Sequence, residues 1–142
     1  MKYRQLESKV SAILEDVIVN GDVAVKKYTS QFDSVDLDEF VVSAKEIAEA
    51  VSAADEELKT AIELAKNNIT VFHQSQKEEV KKIETTTGVI CWRKSVAIEK
   101  VGLYIPGGTA PLFSTLLMLG IPAVLAGCKE IIVCTPPDEN GK

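Results

Sequence analysis

The sequence predicts an α/β protein: an N-terminal helical segment with a β-hairpin, then one strand–helix–strand unit. Three observations predict it. Apolar residues recur at helical spacing from Leu6 to Phe72. β-branched residues gather between Lys82 and Ile98. The stretch Val101–Cys134 then reads as a strand, a glycine-bearing turn, a helix and a second strand within about thirty residues, the size of one βαβ unit. Its turn falls at the carboxyl end of the first strand, where open α/β sheets bind ligands. Two parallel strands need cover on both faces, so the chain reads as the front part of something larger.

Each element has its own signal. Leu6, Val10, Ile13, Leu14, Val17 and Ile18 place a helix over residues 3–19. Asn20-Gly21 ends it, and Asp22 is the expected cap of the next helix, which carries Val25, Tyr28 and Phe32. Asp33 to Glu39 is an acidic loop, and Phe40-Val41-Val42 reads as a short extended piece. Ser43 and Glu46 have capping-box spacing for a short helix through Ala50. Ser52 to Asp55 is a weaker start signal for a long helix with Leu58, Ile62, Ala65, Ile69 and Phe72 on one face, fading near Gln76. Residues 82–98 are expected to form one or two antiparallel strands or a hairpin. The helix of the βαβ unit is placed at 112–127 and is apolar on nearly every side, a pattern that expects burial all round. The division is residues 1–98, helical with a hairpin, and 99–142, the opening of a Rossmann-like domain.

Composition narrows the function. With 46% hydrophobic and 26% charged residues the chain is ordinary for a folded protein. A net charge of −5 and a pI near 5.0 leave no basic stripe for nucleic acid. The interleaved Lys and Glu of 77–84 read as a solvated face or loop. Met1-Lys2 runs directly into charged amphipathic sequence with no signal-peptide core. The longest apolar run, Leu116–Ala126, holds Gly120 and Pro122 and is too short for a bilayer. Cys91, Cys128 and Cys134 are odd in number and lack Cys-x-x-Cys spacing, so buried reduced thiols in a cytoplasmic protein are expected.

The chemistry points to the turn after the first strand of the βαβ unit. In Tyr104-Ile105-Pro106-Gly107-Gly108, proline fixes φ and two glycines open conformations closed to other residues. Backbone N–H groups can then approach a polar or anionic ligand beside a helix N-terminus. This is neither Gly-x-Gly-x-x-Gly nor a Walker loop, and alone it reads more often as a plain tight turn.

A longer match gives it meaning. The block Val101–Met118 (VGLYIPGGTAPLFSTLLM), with Ile121-Pro122-Ala123, Ala126-Gly127 and Thr135-Pro136-Pro137, closely resembles the signature of histidinol dehydrogenases. Upstream the likeness continues in Gly21-Asp22, Tyr28, Phe32-Asp33, Val42-Ser43, Ile69, Phe72-His73 and Gln76. The resemblance implies an oxidoreductase that converts L-histidinol through the aldehyde to L-histidine with two NAD⁺ and a bound zinc. It further implies an aldehyde-dehydrogenase-like fold of two incomplete Rossmann-like domains, and a homodimer. Carried over by residue, Tyr104 matches a tyrosine that contacts NAD, Pro106, Gly107 and Gly108 the turn beside it, and Ser114 a serine on the substrate-pocket side of the next helix. The alternative for Tyr104 is a strand-end packing aromatic, and for Ser114 a helix-start hydroxyl.

The resemblance also implies zinc ligands (a Gln, two His and an Asp) and a Glu-His pair for proton transfer, all further along than this chain reaches. His73 is the sole histidine, and one histidine cannot build a zinc site. It reads as a structural or surface helix residue. Two classes of function therefore compete: the N-terminal part of the enzyme, inactive alone, and a non-catalytic α/β module acting by association. A different aldehyde-dehydrogenase-like enzyme is a weaker third.

Overall fold

The computed structural model describes residues 2–107, 112–138 and 141 of the chain. It is mixed α/β, with α1 (Lys2–Asn20), α2 (Asp22–Asp33), α3 (Ala44–Ala53), α4 (Glu56–Gln74), β1 (Ile83–Thr86), β2 (Val89–Cys91), β3 (Lys100–Tyr104), α5 (Phe113–Ala126) and β4 (Glu130–Cys134). Packing groups the chain into two units, Met1–Ala44 with Pro136–Lys142, and Lys45–Thr135.

In the first unit α1 and α2 form a helical pair whose junction is Gly21. Its N–H closes α1 on the Val17 carbonyl at 2.8 Å, and its own carbonyl accepts from Ala24 and Val25 at the start of α2. Gly21 is the N-cap of α2, with φ 54° and ψ −131°. A side chain is strained at that φ, so glycine takes the capping position that the sequence assigns to Asp22. Asp22 is instead the first helical residue, where its charge suits the helix dipole. Ala24 is buried, at 1% exposure.

A carboxylate ties the two helices together. Asp16 on α1 accepts from Lys27 Nζ at 2.6 Å, Tyr28 Oη at 2.8 Å and, within its own helix, Asn20 Nδ2 at 2.6 Å. These donors, Lys27 first, hold the Asp16 pKa down at about 2, and the shared bond raises that of Lys27. Tyr28 also stacks on Phe32, with ring centroids 5.7 Å apart. After α2, residues 34–43 form a loop in which Lys26 Nζ donates to the Asp38 carbonyl at 2.5 Å. Phe40-Val41-Val42 does not pair as a strand there, because no neighbouring strand offers a ladder.

In the second unit, α3 begins directly after Ser43, as the capping-box spacing expects, and runs on to Ala53. The cap of α4 is Asp55, whose Oδ1 accepts from the Leu58 N–H at 2.7 Å. Ser52 is drawn into α3, its hydroxyl donating to the Ala48 carbonyl at 2.9 Å. The hairpin is shorter than the sequence suggests: Ile83 faces Cys91, Glu84 faces Ile90 and Thr86 faces Val89, with an irregularity between Glu84 and Thr86. Glu84 folds back to accept from the Gly88 N–H at 2.8 Å. Residues 92–98 are not strand, and 77–82 form an exposed loop as the mixed charges predict.

The βαβ unit is present. β3 and β4 are parallel and paired from Lys100↔Glu130 to Tyr104↔Cys134, with α5 as the crossover. The helix starts one residue later than expected and ends at Ala126, with Gly127 as a left-handed C-cap. It packs on α4 and β3, yet none of its residues is buried: Met118 is 61% and Val124 65% exposed. The cysteines are free as expected, but Cys91 and Cys134 are exposed and only Cys128 is partly covered, since neither two-stranded sheet has a second layer over those positions. Among the described residues no helix is long and apolar enough to cross a membrane.

Two outcomes follow from this packing. A carboxyl whose pKa is depressed by folding contributes stability above its unfolded value near 3.8 and loses it as pH falls toward about 2. Far-UV circular dichroism melts are therefore expected to show α1–α2 weakening between pH 4 and pH 2, and Asp16→Asn to remove that dependence. In the second unit, exposing even four large side chains of α5 forgoes roughly 6–12 kcal/mol, at about 1.5–3 kcal/mol each. With the sheet edges open as well, the βαβ segment is expected either to associate with other copies or to exchange its amides rapidly. Light scattering across a concentration series, with hydrogen exchange of residues 100–134, tests this. A monomer with strong protection throughout would contradict it.

Candidate functional site

The parallel pairing of β3 and β4 puts their carboxyl ends at one edge. Tyr104 is the last residue of β3, stands in register with Cys134, and is 64% exposed. The ladder runs one rung further, the Ile105 N–H donating to the Cys134 carbonyl at 2.8 Å. Side chains alternate along this strand. Val101 and Leu103 are partly covered and Ile105 is buried at 7%, whereas Lys100, Gly102 and Tyr104 are exposed. Pro106 and Gly107 follow as exposed residues.

Gly108 lies outside the described residues. Ser114 is the second residue of α5 and exposed, and its hydroxyl makes no hydrogen bond to another described residue. The N-cap position of α5 is Leu112, which makes no side-chain capping bond, and the Thr115 N–H turns back to the Leu112 carbonyl at 2.9 Å. The structure thus places Tyr104 at the strand end and Pro106 and Gly107 just beyond Ile105, with Ser114 at the start of the helix that follows the turn. Ile105 is passed over when the turn is read as a motif. The alternation of Val101, Leu103 and Ile105 is the signal that marks it.

His73, in the last turn of α4, bonds through Nδ1 to Gln76 Oε1 at 2.8 Å and meets the Phe72 ring edge-on at 5.3 Å. It lines a hollow of about 180 Å³ with Gln76, Lys77, Pro122, Leu125 and Ala126. Among the described residues no three His, Cys, Asp or Glu side chains are grouped to hold a metal ion.

These features define a mixed α/β protein with an exposed tyrosine and an exposed turn at the carboxyl end of a parallel strand pair. Comparison with known proteins makes the class specific. The sequence pattern of the histidinol dehydrogenase family matches residues 1–142. The histidinol dehydrogenase of Bacteroides fragilis is 55% identical over 142 residues, all of this chain and 33% of its own length. That of Bacteroides thetaiotaomicron is 57% identical over 132 residues, 93% of this chain and 31% of its own. The crystal structure of histidinol dehydrogenase from Elizabethkingia anophelis superposes with a TM-score of 0.94 at 52% identity, covering 96% of this chain and 32% of that one. The chain belongs to the histidinol dehydrogenase family. It spans about a third of the length of the curated relatives it matches. The match runs through α1–α4 as well as the βαβ unit, and does not favour a stand-alone association module.

Proposed function

We propose that the chain is the N-terminal part of an L-histidinol dehydrogenase, which oxidises L-histidinol through L-histidinal to L-histidine with two NAD⁺ in histidine biosynthesis. The observation that carries this reading is identity above half along the whole chain to enzymes of that name. In the complete enzyme residues 1–98 belong to a first Rossmann-like domain and 99–142 open the second, NAD-binding one, in an aldehyde-dehydrogenase-like arrangement. The enzyme is a cytoplasmic homodimer on this reading.

Tyr104 is the proposed NAD contact, Pro106, Gly107 and Gly108 the turn beside it, and Ser114 a substrate-side residue. Support comes from placement: an exposed aromatic and an exposed turn at the carboxyl ends of two parallel strands suit a flat ligand with a charged linker. NAD⁺, when bound here, would supply the hydride acceptor. What these residues do on this reading is present an aromatic face and a glycine-bearing backbone to it. Zinc is different. The described residues do not fit a metal site, so the reading assigns zinc and the proton-transfer pair to the part of the relatives outside the matched third.

The purified 142-residue chain is therefore expected to form no NADH from histidinol and to retain no stoichiometric zinc. Elemental analysis and an absorbance assay check both, and turnover or one tightly held zinc per chain would overturn the assignment. In the complete enzyme, Tyr104→Ala is expected to weaken NAD⁺ binding while zinc content stays constant. Isothermal titration decides it, and unchanged affinity would return Tyr104 to a packing role.

A further inference from the structure

We infer that Ile105 is the positioning residue of the cofactor edge, holding Tyr104 outward and fixing where the Pro106-Gly107 turn begins. The inference rests on the proposed reading of Tyr104 as a cofactor contact.

Three restraints meet at Ile105. Its N–H is bonded to the Cys134 carbonyl at 2.8 Å, the last rung of the parallel ladder. Its side chain is 7% exposed, and among the described residues only Ala24 is a more deeply buried apolar side chain. It also precedes a proline, which disfavours helical backbone and pushes it to the extended region, where a β-branched side chain is at ease. Adjacent residues of an extended chain point to opposite faces. Burying Ile105 therefore presents Tyr104 to the open side, and a one-residue slip of β3 would exchange the two. On the inner side Val101 and Leu103 are partly covered and Ile105 is buried, so the grip is firmest next to the turn. Beyond it come the exposed Pro106 and Gly107, and a second glycine follows in the sequence.

A residue that only stabilised the fold would, when cut back, lower activity and melting temperature without regard to the cofactor. A positioning residue acts through the ring it orients. In the complete enzyme, Ile105→Ala is expected to raise the KM and Kd for NAD⁺ by about tenfold, which is about 1.4 kcal/mol of binding free energy. The kcat at saturating NAD⁺ and the KM for histidinol should stay within about twofold, the signature of lost binding common to ground and transition states. Ile105→Val, which keeps the β-branch, is expected to restore wild-type NAD⁺ affinity. In a Tyr104→Ala background, Ile105→Ala should add little, since no ring is left to misplace. Should Ile105→Ala fail to fold, Ile105→Leu, of equal volume but without the β-branch, carries the same comparison. A full additive loss in the Tyr104→Ala background, or a fall in kcat alongside both KM values, overturns the inference. So does unchanged NAD⁺ affinity in the Ile105 variants while Tyr104→Ala weakens it. Tyr104→Ala without effect on NAD⁺ would instead show that the reading of Tyr104 had failed, and the inference with it.

Discussion

Two parallel strands cannot be joined by a tight turn, and the segment from Glu99 to Cys134 is organised by that constraint. After Tyr104 the chain must travel back the whole length of β3 before β4 can start beside it. A five-residue strand is about 17 Å long at roughly 3.3 Å per residue. The fourteen residues of α5 cover about 21 Å at 1.5 Å each, enough for the return. Gly127 stops the helix, and the N–H groups of Lys129 and Glu130 then bond the Glu99 carbonyl at 2.9 and 3.1 Å, setting the ladder in register from its first rung. Everything at the far end follows. Tyr104 meets Cys134, and the turn and the N-terminus of α5 belong to the same edge because the crossover leaves from there.

The two units use different forces. In α1–α2 the inter-helix link is polar, an Asp16 carboxylate accepting from Lys27 and Tyr28 across the pair. Partly exposed charge pairs contribute modestly to stability, so their role is more in fixing which faces meet than in total energy. In α5 the reverse holds. The helix has no polar stripe, it packs on α4 and β3, and Phe113, Met118 and Val124 are still more than half exposed. A helix of that composition gains little from orientation and much from cover.

The same distinction decides how much the sequence reveals. Helices α1, α2 and α4 are legible because a periodic apolar face needs no knowledge of the partner. The caps are less so: Asp22 loses its capping position to Gly21, and the start signal Ser52–Asp55 does not say which of its residues caps α4. Gly21 can adopt φ 54°, and Asp55 reaches the Leu58 N–H directly. Phe40-Val41-Val42 and residues 92–98 have strand composition without a strand beside them, and pairing is a tertiary fact. The cysteines fail in the same way, since burial depends on what lies over a sheet. At the candidate site the importance of Tyr104 comes from family resemblance, as no local rule distinguishes it from a packing aromatic. The alternation Val101, Leu103, Ile105 is different. It is written in the sequence, and once the β3–β4 register is known it assigns the faces without reference to any family.

That alternation also explains why the edge falls where it does. A contact to a flat ligand benefits from an aromatic whose direction is settled before binding, because ordering it afterwards subtracts from affinity. A contact to a charged linker requires backbone free to come close, which a laddered strand does not allow. β3 supplies the first up to Ile105, where the last hydrogen bond and the deepest burial coincide. The sequence supplies the second directly after, with a proline that ends pairing and glycines that carry no side chain. On the proposed reading Ile105, the last laddered residue before that proline, separates the two halves of cofactor recognition.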